Sequence, residues 1–475
     1  MPSSDRGHDT RPKSDGDSGP GRVRRSLKSL LAMATRSTGA FSQVLFAVAI
    51  TRSLDRSGAG AALLYLTAFA VGSATMTGGS GYFAMRRLSG LDRDDPTIAF
   101  ETRRLFRLQL GLAAAASLMA AIVLATLGTG IVDLPRGGVM IYAAAWWVSS
   151  SLTTISLAVA YQCHGRRHLI ASVWFSHIML PLTSASIVAG WAAWSEAASI
   201  RALDVVAVHV GVAAVTAATA AGYWLTRVRG AMREASGETV SEPDPMNIPD
   251  ALRSCGSFWL MNVSQLLMNW SPFLIAGLLL PLPDQAHLGA AQRVAGGINL
   301  ILVVATFVVT PRLRYHYARG DSAALRRTVA ETARVLVPAG LAATVIAAVA
   351  AGPLMSLFGE GYRAAGGLLI VFALGQCFNV VTGTVNQILT MCDRESVLKN
   401  VCLASAVGSV ALGAVLTYAY GPVGTAAAAA SALVLQNVIA VTVVRRVFGF
   451  WVFDVRGGPA ASVEKRPASA IGESG

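Results

Sequence analysis

The sequence is poor in charge. Only 14% of its 475 residues are Asp, Glu, Lys or Arg, against 53% hydrophobic, whereas a soluble chain carries roughly 25% charged residues. So few polar groups could not cover a water-facing surface of this size, and a soluble multidomain protein is excluded. Cysteine is scarce as well. Cys163, Cys255, Cys377, Cys392 and Cys402 lie in or beside apolar segments with no paired spacing, which gives neither a disulfide framework nor a metal motif. No Gly-rich nucleotide-binding loop is present, so no cofactor, metal or ATPase activity is expected. Carboxylates are missing from the apolar runs: all 26 acidic residues fall in loops, tails or run ends, with Asp204 and Glu331 closest to a core.

What remains is a series of long apolar runs. A spanning helix needs about 20 mainly apolar residues. Twelve intervals qualify: 29–50, 60–85, 106–128, 138–161, 169–194, 203–226, 255–280, 287–310, 333–357, 364–391, 398–419 and 423–444. Alternate connections between them hold 32 of the 39 basic residues, and the opposite connections hold five. Basic residues stay on the cytoplasmic side, so both termini are expected in the cytoplasm. The net charge of +13 is then a topology signal, and nucleic acid is not an expected partner. The N-terminal apolar run is too long for a cleaved signal peptide, and no small-residue cleavage site follows it. The expected organisation is a disordered basic stretch 1–28, a six-helix bundle 29–226, a cytoplasmic linker 227–253, a second bundle 254–447 and a cytoplasmic tail 448–475.

The two halves repeat faintly. At an offset of 229, Gly60-Ala61-Ala62 falls on Gly289-Ala290-Ala291, Cys163 on Cys392 and Leu169 on Leu398. Six spans, a linker and six more in the same orientation imply parallel repeats about an axis along the membrane normal. Transporters built this way bind substrate between the halves and expose it alternately.

Polar residues within the runs are candidates for a site, because a charge at mid-membrane costs about 2.5–3.5 kcal/mol on insertion scales. Arg36 enters the first run from the cytoplasmic end and Arg293 the eighth from the outer end. Each either snorkels to its nearer interface or faces a wet interior. Ser37, Thr38, Ser42 and Gln43 follow Arg36, too polar a run for a lipid-facing helix. In the seventh run Asn262, Gln265 and Asn269 share one helix face, and Pro272 follows. Such amides either join helices or line a cavity, and the proline is a plausible pivot. His177 and His209 have cavity or packing roles open to them. Trp191, Trp194, Trp224 and Trp451 read as interface anchors.

Several stretches resemble the multidrug/oligosaccharidyl-lipid/polysaccharide exporter superfamily, in particular its polysaccharide-transport branch of O-antigen and exopolysaccharide flippases. Arg52-Ser53-Leu54 followed by Gly60 looks like that family's Arg-x-Leu-Gly…aromatic-Gly loop, with Asp55 and Ala59 replacing the Gly and the aromatic. Leu357-Phe358-Gly359-Glu360-Gly361-Tyr362 is similar to its Phe-Gly-x-x-Tyr turn, and Gly421-Pro422-Val423-Gly424-Thr425-Ala426 to its Gly-x-x-Gly-x-Ala entry. Ala291-Gln292-Arg293 resembles the opening of its eighth span. The likeness runs from about 26 to 447. It implies an all-α membrane fold of twelve helices in two six-helix bundles forming a V-shaped central cavity. It also implies a flippase moving a polyprenyl-diphosphate-linked oligosaccharide from the cytoplasmic to the outer face of the bacterial plasma membrane. Implied partners are that glycan, membrane lipids, a polysaccharide polymerase and glycosyltransferases. Lipid II relatives have cavity arginines on the first and eighth spans, and Arg36 and Arg293 occupy similar positions. Many polysaccharide-branch members have an acidic residue in the seventh span where this chain has Asn269.

The physics suits that substrate. A glycan cannot cross hydrocarbon bare, because each unpaired hydroxyl costs several kcal/mol, and guanidinium forks match diphosphate oxygens. On this reading Arg36, Arg293, Gln43, Asn262, Gln265 and Asn269 bind substrate and Pro272 is the hinge. A drug/cation antiporter of the same superfamily is the main alternative, but it calls for buried carboxylates. A lipid II flippase is a further alternative, although that branch usually carries two more C-terminal spans.

Overall fold

The computed structural model describes residues 20–453, apart from 90, 92–96, 128–135, 167, 195–199, 236–245 and 393. Apolar residues crowd the sequence, and in lipid every backbone N–H and C=O must be paired within the protein. Helices meet that demand locally, and the described residues contain helices and no strands.

In chain order these are α1 (Pro20–Ser53), α2 (Arg56–Met76), α3 (Ser80–Ser89), α4 (Ile98–Leu127), α5 (Arg136–Gly165), α6 (Leu169–Val173), a π turn (Trp174–Ile178) and α7 (Met179–Trp194). Then come α8 (Ala202–Ala235), α9 (Ile248–Leu279), α10 (Leu282–Ala318), α11 (Ser322–Val349), α12 (Ala351–Ser356), a 3₁₀ turn (Glu360–Ala365), α13 (Gly366–Thr382), α14 (Val385–Met391) and α15 (Glu395–Phe448). The twelve expected intervals fall mainly on helix, but 60–85 is broken at 77–79, 333–357 at 350 and 364–391 at 383–384. Among the described residues, nine helical stretches are long and apolar enough to cross a membrane. One of them, Val397–Phe448, is two helices meeting at a corner where Gly421 takes φ 59° and ψ −137°. The helices α1 and α9 fall outside the nine, and these are the two runs most diluted by polar residues.

Helix also reaches into stretches expected to be irregular. The first helix begins at Pro20, inside the segment expected to be disordered, because Arg, Leu and Lys are good helix formers. Likewise α8 continues to Ala235 and α9 starts at Ile248, so the linker is shorter than its expected 227–253. Positions 1–19, 236–245 and 454–475 lie outside the described residues.

The helix pairings recur after six spans. In the first half α1 packs on α7, α2 on α5 and α5 on α8; in the second, α9 packs on α15, α10 on α13 and α13 on α15. Between halves α1 meets α10, α9 meets α2, and α2 meets α10. Each contact maps onto another, or onto itself, when the halves are exchanged. The glycines aligned by the 229-residue offset both lie on the α2–α10 contact: a Cβ on Gly60 would stand 1.8 Å from the Leu282 carbonyl oxygen, and one on Gly289 3.0 Å from Leu63. A buried apolar cluster drawn from both halves, including Phe46, Ile50, Leu63, Phe273, Leu288, Phe358 and Tyr362, fills this junction.

Candidate functional site

The functional geometry begins where the helices break. Between α2 and α3 the chain turns through Gly78 (φ 58°) and Gly79 (φ 70°). A Cβ on Gly79 would lie 2.1 Å from the Cys255 carbonyl oxygen of α9, so only glycine fits this backbone-to-backbone approach. Ending α2 here takes its last carbonyls out of the regular helical ladder; the Thr77 hydroxyl donates to that of Ala74 and the Gly78 amide to that of Thr75. Side chains of the other half reach them: Asn262 Nδ2 donates to the Ala74 carbonyl at 3.3 Å, and Trp259 Nε1 donates to that of Thr75 at 3.1 Å. Tyr82 stacks on Phe258 beside them. Asn262 therefore seals one half against the other.

At the opposite end of α2 two loops clasp. Asp55 caps the helix by accepting from the amides of Gly58 and Ser57. Arg52 Nε donates to the Leu357 carbonyl at 2.8 Å, and the Arg56 guanidinium lies against Gly361, whose Cβ would stand 3.1 Å from its Nε. Both loops carry the sequence resemblance, and the structure brings them together across the halves.

The three α9 amides turn to three different surroundings. Gln265 Oε1 accepts from Gln436 Nε2 at 3.2 Å and from Cys402 Sγ at 3.4 Å. Asn269 lines a water-sized cavity of about 20 Å³ with Gln292, Phe372, Gln376, Ala429, Ala430 and Leu433. Gln376 is buried and its Oε1 has no hydrogen-bond partner there. Nearby on the same helices runs a chain of amides: Asn379 Nδ2 donates to Asn299 Oδ1 at 3.1 Å, and Asn437 Nδ2 donates to Asn379 Oδ1 at 3.2 Å. Sequence reasoning missed Gln292, Asn299, Gln376, Asn379, Gln436 and Asn437. Their signal was available, since each is an amide inside an otherwise apolar run.

Arg293 is half-buried on α10, and its Nη1 donates to the Gly289 carbonyl at 2.9 Å, one turn back on the same helix. Its guanidinium lies over Gly289, on the side of α10 that meets Leu63. Gln43 is exposed on α1. Arg36 belongs to α1, but its side chain lies outside the described ones. Pro272 sits inside an unbroken α9 and is buried. Proline cannot donate to the carbonyl four residues back; that carbonyl, of Met268, accepts instead from Ser409 Oγ of α15 at 2.8 Å. Gly413 of α15 packs 3.2 Å from the Pro272 Cα when given a Cβ. These two contacts tie the Pro272 region of α9 to the 395–420 arm of α15.

In the first half, His209 is buried among Phe46, Tyr65 and Phe69, with ring centroids 5.8, 5.7 and 4.6 Å away. His177 lies in the π turn, where Gly39 lets α1 pack directly on it. Among the described residues no group of His, Cys, Asp and Glu could hold a metal ion.

No protein-family model matches the chain, and no curated protein matches it in sequence. Solved structures do match. The lipid II flippase MurJ, in an inward closed conformation, gives a TM-score of 0.61 at 11% identity, over 89% of this chain and 87% of that one. An inward-facing multidrug resistance MATE family transporter of the MOP superfamily gives 0.61 at 12%, over 89% and 97%. A MOP superfamily transporter from Pyrococcus furiosus, titled for the reverse polarity of its binding pocket, gives 0.62 at 13%, over 88% and 95%. The chain has the fold of MOP superfamily transporters. At these identities the likeness concerns the fold alone. With its apolar helices, it makes this a multi-pass membrane protein.

Proposed function

We propose that this protein is a flippase that moves a polyprenyl-diphosphate-linked oligosaccharide outward across a bacterial plasma membrane by alternating access. The observation that carries the reading is the chemistry of the second half's interior. Its water-sized cavity is lined by the amides Asn269, Gln292 and Gln376 with no carboxylate, and the half-buried Arg293 lies on another side of α10, toward Leu63 of α2 at the junction of the halves. Amides donate and accept, which suits sugar hydroxyls, and a guanidinium suits a diphosphate. Gln265, the amide one turn before Asn269, is held by Gln436 and Cys402 and positions the α9 face. Arg36 would meet the diphosphate at the cytoplasmic entrance, and Gln43 the sugars beyond it.

Gating follows from the two ends of α2. The clasp of Arg52 and Arg56 on the 357–361 loop is the outer gate, which opens for release. The contacts of Asn262 and Trp259 with α2 form on the cytoplasmic side, and Pro272 is the pivot between them. A drug/cation antiporter needs a carboxylate to exchange for its cation, and the cavity offers none.

The test is native mass spectrometry of the protein purified gently from its own cells. A retained species with the mass of a polyprenyl diphosphate plus sugars is expected. A small organic cation in its place would overturn the reading in favour of the antiporter.

A further inference from the structure

A second polar pocket lies far from the amides, at the other end of α10. It has a volume of about 500 Å³ and is lined by Arg312, Tyr315 and His316 of α10 and by Ala324, Arg327, Thr328 and Glu331 of α11. Such a volume lies within the range of small-molecule sites, roughly 300–1,000 Å³. The connection that forms it, 312–334, holds six of the basic residues and only Asp321 and Glu331 of opposite sign. Several of these charges already have work. Arg314 Nη1 donates to the Met391 carbonyl at 2.9 Å, Arg319 stacks over the Tyr315 ring at 4.3 Å, and Asp321 caps α11 through the Ala324 amide. Arg312 and Arg327 are exposed and, among the described residues, have no hydrogen-bond or ion-pair partner.

What lies toward the membrane from this pocket decides its ligand. On α10, Val304 and Val308 precede Arg312 at steps of four residues, and both valines are exposed, 38% and 44%. On α11, Val335 follows Arg327 and Glu331 at the same step and is 64% exposed. Residues four apart share a helix face. The charged pocket therefore opens, in register on both helices, onto an apolar strip that runs into the bilayer. A soluble anion would use the arginines but not the strip. A glycerophospholipid uses both, with its phosphate at the guanidinium groups and its acyl chains along the valines. Basic pockets between transmembrane helices on the cytoplasmic side suit anionic head groups for this reason.

We propose that the α10–α11 pocket binds an anionic glycerophospholipid with a hydroxylated head group, of the phosphatidylglycerol class. Arg312 and Arg327 hold the phosphate, and Glu331 and Thr328 accept from the head-group hydroxyls. Two guanidinium groups and one carboxylate leave one net positive charge, which matches the single negative charge of that lipid. This assignment rests on the membrane placement of α10 and α11 and not on the identity of the transported molecule.

The experiment delipidates the full-length protein in detergent and adds phosphatidylglycerol, phosphatidylethanolamine, phosphatidylcholine or polyprenyl phosphate. Retained lipid per protein is then read by native mass spectrometry. Wild type is expected to keep one phosphatidylglycerol and at least tenfold less of either zwitterionic lipid. In Arg312→Gln/Arg327→Gln, phosphatidylglycerol retention is expected to fall at least tenfold, with the helix content by circular dichroism unchanged. Glu331→Gln is expected to move the other way: the amide oxygen still accepts from the head group while the negative charge beside the phosphate is gone, so retention rises about threefold, and a poorly folding double variant leaves the proposal still testable. Unchanged retention in both variants, or equal retention of phosphatidylethanolamine, would overturn it. Displacement of phosphatidylglycerol by equimolar polyprenyl phosphate would also overturn it, by making the pocket a substrate entrance.

Discussion

At the scale of single residues, the interior of the second half is a set of amides that each depend on another helix. Gln265 is the clearest case. Replacing it with Leu leaves the buried Gln436 Nε2 with only the Cys402 sulfur as acceptor. A buried polar group that loses its partner costs about 1–3 kcal/mol, so Gln265→Leu is expected to lower the melting temperature in detergent, and an unchanged melt would show that water supplies the bond. Arg293 behaves differently: among the described residues its hydrogen bond is to a carbonyl of its own helix. Arg293→Ala is expected to abolish transport while the protein still inserts and runs as a single species on size exclusion. Wild-type transport in that variant would remove the arginine from the substrate path. Much of this was legible in the sequence and some was not. Arg293 and the α9 amides stood out because polar residues in apolar runs are few. Their partners carried the same signal, but the pairing did not show, because Gln265 and Gln436 are brought together only by packing across 171 positions of chain.

At the scale of elements, the apolar runs forecast helices well, because the membrane leaves the backbone no other local solution. Where those helices break was harder to see. Glycines are common throughout this chain, and nothing local separates Gly78 and Gly79, which end α2, from Gly296 and Gly297, which continue α10. The difference is the approach of α9, a tertiary fact. Gly79→Ala would place a methyl 2.1 Å from the Cys255 carbonyl oxygen. That variant is expected to lose most of its folded yield in fluorescence-detected size exclusion, whereas Gly296→Ala, with nothing within 4 Å of the added Cβ, is expected to match wild type. The Pro272 turn makes a related point. The sequence shows the proline but not the serine of α15 that answers its orphaned carbonyl. Ser409→Ala is expected to slow transport and leave substrate retention unchanged, as read by comparing turnover with bound lipid.

At the scale of the whole molecule, the Arg52–Leu357 clasp and the α2–α9 contact lie at opposite ends of one helix, and on the proposed function they open in turn. Cysteines at positions 52 and 357, joined by a reducible cross-linker that spans the short distance between the loops, are expected to stop transport, and reductant to restore it. Transport continuing in the cross-linked protein would show that the clasp is not the gate. The energy source is a property of the whole molecule too. A diphosphate carrying about two negative charges releases roughly 4.6 kcal/mol when it moves outward down a potential of about 100 mV, inside negative, at about 2.3 kcal/mol per charge. An amide-lined cavity without carboxylates needs no bound cation to use that energy. Transport in vesicles is expected to follow the membrane potential and to survive the collapse of a pH gradient alone.

The π turn at Trp174–Ile178 leaves a different kind of trace. There the Met179 amide donates to the Trp174 carbonyl five residues back, which fits one residue more into the turn than regular winding allows. Deleting a single residue from this stretch would restore an even helix and leave the side chains beyond it on nearly the same faces, because the wide turn takes up the extra residue. An ancestral insertion absorbed in this way leaves no loop behind. It leaves a one-position gap in the middle of a hydrophobic helix, where the ancestry of this span would be read from the spacing of its residues rather than from their identities.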